Sequence, residues 1–156
     1  MTDTRTAVIS AAVWVLSSWA MDVELMRERV AAARVARLGT VRADGRPHLV
    51  PCCFVLDGDT ILTAVDDVKT KSTHALRRLA NIELHPDVSV LVDHYDEDWS
   101  TLWWVRIDGQ ARILDPTSPD ARHAVRRLAA KYEPYRVQPI SGPIISVEIT
   151  RWVAWP

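Results

Sequence analysis

Lys69, Lys71 and Ser72 are the residues of this sequence best placed to do chemistry. They stand in the loop VKTKS, immediately before a helical stretch, THALRRLANI. The first N–H groups of a helix lack intrahelical partners, so a helix start that also offers two ammonium groups and a hydroxyl suits an anion such as phosphate. The same residue types also suit a solvated loop with a Ser cap, and spacing alone does not separate the two readings. Arg77 and Arg78 follow in the helix and read first as a solvated face. No Ser/His/Asp arrangement, paired-carboxylate signature or Cys/His metal spacing is present, so no catalytic residue or metal ligand is named. A bound cofactor that brings its own reactivity is consistent with this pattern.

The segments that must position the loop are strands. Residues 37–42, 48–57 and 60–65 read as strands joined by the turns ADGR and DGD, which are hairpin signals. Residues 88–95, 102–114 and 144–153 add three more. In the fifth, Trp103, Val105 and Ile107 alternate with Trp104, Arg106 and Asp108, giving one apolar face, and Gly109 interrupts the run where a bulge or bend is expected. Ser118-Pro119 starts a helix with a cap and a first-turn proline. Its apolar stripe is Ala121, Val125, Leu128 and Tyr132, and Arg122, Arg126, Arg127 and Lys131 read as a solvated side. The expected fold is mainly β with flanking helices: a six-stranded antiparallel split barrel, since curling into a barrel removes exposed strand edges.

The chain has 156 residues, 48% hydrophobic and 25% charged, with a net charge of −1. That suits one domain and gives no excess of cations for general nucleic-acid binding. Seven Trp stand against one Phe, so several must sit in a core, an interface or a ligand groove. Cys52 and Cys53 are adjacent, a poor geometry for a disulfide, and read as reduced thiols of a cytoplasmic protein. Residues 7–20 are uncharged but too short to span a membrane, which takes about 20 apolar residues. Residues 1–21 read as an extension preceding a domain over 22–156. A dispensable leader or a start at Met21 is preferred over an export signal. Asp22 would then cap a helix with Val23, Met26, Val30 and Ala33 on one face.

The motifs GTVRADGRPHLVPCCF, TAVDDVKTKSTHALRRL, VSVLVD, DWS, IDGQARIL and ISVEITRWVAW, in this order, resemble the pyridoxamine 5′-phosphate oxidase-like, FMN-binding split-barrel superfamily. The likeness is best over residues 36–115, and closer to the actinobacterial branch that uses coenzyme F420, a deazaflavin. It implies a homodimer with the cofactor in a groove between two barrels. It puts Lys69, Lys71 and Ser72 on the cofactor phosphate and Thr63 and Ala64 under the ring. His48, Leu49, Val50 and Pro51 line the ring's other edge, and Trp99 and Ser100 stand near the partner's site. The implied activity is hydride transfer between reduced F420 and a small-molecule acceptor, with no nucleic-acid or membrane partner. An FMN-dependent enzyme and a non-catalytic flavin carrier or sensor are the alternatives. The arginine-rich substrate-phosphate motif of the vitamin B6 oxidases is missing, which argues against that activity.

Overall fold

The computed structural model describes residues 21–65 and 73–155. Helix α1 (Val23–Ala32) is followed by β1 (Ala36–Val41), β2 (Pro47–Cys52), β3 (Val55–Asp57) and β4 (Thr60–Ala64). Then come α2 (Thr73–Leu84), β5 (Asp87–His94), a single 3-10 turn (Trp99–Thr101) and β6 (Trp103–Leu114). Helices α3 (Pro119–Lys131) and α4 (Pro134–Val137) precede β7 (Ile144–Trp155). All strands join one antiparallel sheet in the order β2-β1-β5-β6-β7-β4-β3, curled into a split barrel. Residues 1–20 of the expected extension lie outside the described residues, whereas Met21 is buried in the core.

Both expected caps form. The Asp22 carboxylate accepts from the Leu25 N–H at 2.7 Å, and the Ser118 hydroxyl accepts from Ala121 N–H at 3.1 Å. Each satisfies one orphan donor of a helix start. Val30 of α1 is fully buried and Met26 and Ala33 pack beside the core, but Val23 is 47% exposed and leaves the expected face. On β6, Val105 and Ile107 are fully buried as the alternation requires. The β6–β7 ladder shifts register between Asp108 and Gly109, so Thr150 is the extra residue of the bulge. A Cβ at position 109 would lie 2.4 Å from the Glu148 carbonyl oxygen, so only glycine permits this approach.

Seven strands form, not six. The expected strand over residues 48–57 breaks at Cys53-Phe54, where the chain passes from one end of the sheet order to the other. Phe54 is fully buried, and its N–H donates to the Tyr132 hydroxyl at 3.0 Å instead of to a neighbouring strand. That hydroxyl lies 2.8 Å from the Phe54 carbonyl and 2.9 Å from the Arg34 carbonyl. The corner is thus pinned to the end of α3 and to the α1–β1 connection.

Lys131 is not on a solvated face. Its Nζ sits 4.3 Å from the centre of the Phe54 ring and is buried without a hydrogen-bond partner. Burial, with the Arg34 guanidinium nearby, brings its ammonium down to about 8. Arg127 is also engaged: with His123 it pairs with Asp57 of β3, at 3.0 and 2.6 Å. The His123 hydrogen bond and then the Arg127 charge hold the Asp57 carboxyl below its usual range.

An unfolded lysine keeps its proton to about pH 10.4, whereas folded Lys131 gives it up near pH 8. Between these values the unfolded chain binds more protons, so stability at this site rises with pH. We expect Lys131→Met to raise Tm at pH 7, with the gain shrinking by about pH 10. A gain that grew between those two melting curves would contradict the buried ammonium.

Candidate functional site

Thr63 and Ala64 end β4 and are 1% and 4% exposed. The Thr63 hydroxyl donates to the Cys53 carbonyl at 2.7 Å, so it faces the barrel corner and is spent on structure. The pairing of β4 with β3 stops at Leu62, and beyond it the Cys53 corner lies against Thr63. The other side is held by Ile145 and Ile144 of β7. Just beyond, the Val65 N–H donates to the Pro143 carbonyl at 2.9 Å, and a Cβ on Gly142 would lie 1.9 Å from the Val65 carbonyl oxygen. The loop around Gly142 therefore seats Val65, the last described residue before α2.

Lys69, Lys71 and Ser72 themselves lie outside the described residues. The helix expected after them is present, as α2 from Thr73. Arg77 on it is exposed as expected. Arg78 departs from the solvated reading: it is half-buried, and its Nε is buried with no hydrogen-bond partner. A buried guanidinium N–H without an acceptor is costly.

His48, Leu49, Val50 and Pro51 lie on β2, an edge strand paired only with β1. Pro47 and Pro51 carry no N–H, which an edge tolerates. Val50 packs on the core, Leu49 is 66% exposed, and His48 Nδ1 lies 3.5 Å from the Thr40 hydroxyl. The corner at Cys53 brings the Pro51 end of β2 beside Thr63, through the Cys53–Thr63 hydrogen bond. The two predicted groups thus meet only at the Pro51 end of β2, and His48 lies roughly 10 Å further along the strand.

Trp99 and Ser100 do not join them within one chain. Their turn leads into Trp103 at the start of β6, whereas Thr63 and Ala64 align through β7 with Ile113 and Leu114 at its far end. Roughly 30 Å of extended strand separates those ends. Ser100 is oriented by Asp98, which accepts from its hydroxyl at 2.6 Å and its N–H at 3.0 Å. These bonds hold the Asp98 carboxyl below its usual range. Trp99 is 80% exposed, so a large apolar ring faces outward on a fixed turn.

Three features were not legible beforehand: the Tyr132 anchor, the orphaned Arg78 Nε, and the Asp57–His123–Arg127 cluster. Only Tyr132 had a sequence signal, as an apolar-stripe residue carrying a hydroxyl. Among the described residues no group of three or more His, Cys, Asp or Glu could hold a metal, and no helix is long and apolar enough to cross a membrane.

Comparison with solved structures supports the architecture. A conserved hypothetical protein of Mycobacterium tuberculosis aligns at 23% identity with a TM-score of 0.69, over 88% of this chain and 86% of that one. An FAD-binding protein of Mesorhizobium loti aligns at 15% identity and 0.66, over 86% and 94%. The heme storage protein HutZ of Vibrio cholerae aligns at 14% identity and 0.66, over 85% and 92%. At these identities the likeness is one of fold. No curated protein sequence matches the chain. The family model for pyridoxamine 5′-phosphate oxidase matches residues 23–155, and the chain belongs to that family, with its split-barrel fold.

Proposed function

We propose that the protein is an oxidoreductase that binds coenzyme F420 at a homodimer interface and passes hydride between it and a small-molecule acceptor. The observation that carries this reading is the orphaned guanidinium Nε of Arg78 on the helix that follows Lys69, Lys71 and Ser72. It fits an anionic group, and phosphate is the anion the family's cofactors bring. When bound, a deazaflavin supplies two-electron hydride transfer to an activated acceptor. Lys69, Lys71, Ser72 and Arg78 hold the anion. Thr63 and Ala64, with His48, Leu49, Val50 and Pro51, border the ring. The missing B6-oxidase arginine motif and the resemblance to the F420 branch favour the deazaflavin. The FAD-binding relative in fold favours the FMN alternative.

The dimer follows from what one chain leaves uncovered. The outward face of β2-β1-β5-β6-β7 carries Leu49, Leu91, Trp104, Val153 and Trp155. Leu49 and Trp155 are 66% and 47% exposed. A second copy that covered this face would bring Trp99 and Ser100 to the other chain's ring. We expect a dimer by sedimentation at micromolar concentration, burying more than about 1,600 Å² in total. A monomer would refute the shared site.

Charge-assisted hydrogen bonds contribute about 1.5–3 kcal/mol each. Lys71→Ala should therefore weaken F420 binding roughly tenfold to a hundredfold, with an unchanged melting curve. Arg126→Ala, at an exposed position of α3, is the control. Fluorescence titration with F420, and a visible spectrum of the purified protein for bound FMN, decide between the cofactors. Turnover with reduced cofactor separates an enzyme from a carrier. Unaltered affinity in Lys71→Ala would remove the phosphate assignment.

A further inference from the structure

A groove of about 690 Å³ runs between α1 and the Trp103 end of the sheet, away from Thr63 and Ala64. That volume lies within the range of small-molecule sites, roughly 300–1,000 Å³. Its lining includes three guanidinium groups. Arg37 is neutralised by its ion pair with Asp93. Arg29 and Arg34 have no carboxylate partner among the described residues. Both are nonetheless fixed in place. Arg29 lies 5.0 Å over the Trp103 ring, which is itself stacked on His94 at 6.3 Å. Arg34 donates to the Lys131 carbonyl at 2.8 Å and lies 4.6 Å over the Tyr132 ring.

Stacking occupies the face of a guanidinium and leaves donors on its edge, where a carboxylate pairs in two-point fashion. Because the two side chains are already ordered, a ligand does not bear the entropy of fixing them. The rest of the wall is apolar: Leu25, Ala32, Ala33 and Val35, with Leu25 and Val35 37% and 45% exposed. The acidic residues of the lining are Glu28 and the paired Asp93. Three Arg against these two leave the groove net positive.

We propose that this groove, at the Trp103 end of the sheet and away from the Thr63–Ala64 end of the same chain, is a further ligand site that takes a small aromatic carboxylate. Arg29 and Arg34 pair with the carboxylate, and the ring lies along the apolar wall.

Calorimetric titration of the full chain tests this with benzoate, its neutral analogue benzamide, and phenyl phosphate. We expect saturable benzoate binding, at least tenfold weaker benzamide binding, and at least a tenfold loss of benzoate affinity in Arg34→Gln. Arg29→Gln should act likewise; because its stacking on Trp103 is structural, Arg34→Gln carries the test if Arg29→Gln melts early. F420 or FMN titration of Arg34→Gln should match wild type, which separates failure here from failure of the cofactor reading. Equal binding of benzoate and benzamide, no saturable binding, or benzoate affinity untouched in Arg34→Gln would overturn the proposal. Tighter binding of phenyl phosphate than of benzoate would overturn the carboxylate assignment.

Discussion

One phenolic hydroxyl holds the split barrel closed. Tyr132 accepts the Phe54 N–H, and its own proton has the Phe54 and Arg34 carbonyls within reach. Phe54 lies where β2 hands over to β3, at the junction of the two ends of the sheet order. A buried backbone N–H and C=O leaving a ladder need partners, and here a side chain distant in sequence supplies them. Burial pushes this phenol up, so it keeps its proton and its donor role through neutral pH. The corner also sets the ligand-facing geometry, because the Cys53 carbonyl beside Phe54 receives the Thr63 hydroxyl.

The parts of this fold legible in the sequence are those written locally. Alternation on β6, the two hairpin turns and the caps at Asp22 and Ser118 depend on residues within a turn or a strand of one another. The break at Cys53-Phe54 is not local. HLVPCCFVLD reads as one apolar run, and only the distant Tyr132 makes its interruption favourable. Lys131 misled for a related reason: helical spacing put it with Arg122 and Arg126, but a long aliphatic stem lets an ammonium reach over Phe54. Arg78 was read as solvated because burial of one guanidinium nitrogen depends on how α2 sits on the sheet.

The candidate site shows the same division. Residue types pointed to the loop before α2 and the family resemblance added the end of β4 and the β2 edge, and the Cys53 corner joins the Pro51 end of β2 to Thr63. The fold keeps Trp99 and Ser100 at the opposite end of β6. A residue set drawn from both ends of one strand makes a single site only if another copy supplies one part. The exposed apolar residues of the sheet's outward face are where such a copy would pack.

A subunit-mixing titration tests this shared site most directly. Lys71→Ala and Trp99→Ala each damage both sites of their own homodimer if Lys71 and Trp99 of different chains meet at one cofactor. After the variants are mixed and subunits exchange, each heterodimer should hold one doubly damaged site and one intact site. With random pairing, about a quarter of all sites should regain wild-type F420 affinity. A mixture that titrates as the plain average of the two variants, with no recovered high-affinity fraction, would contradict the account.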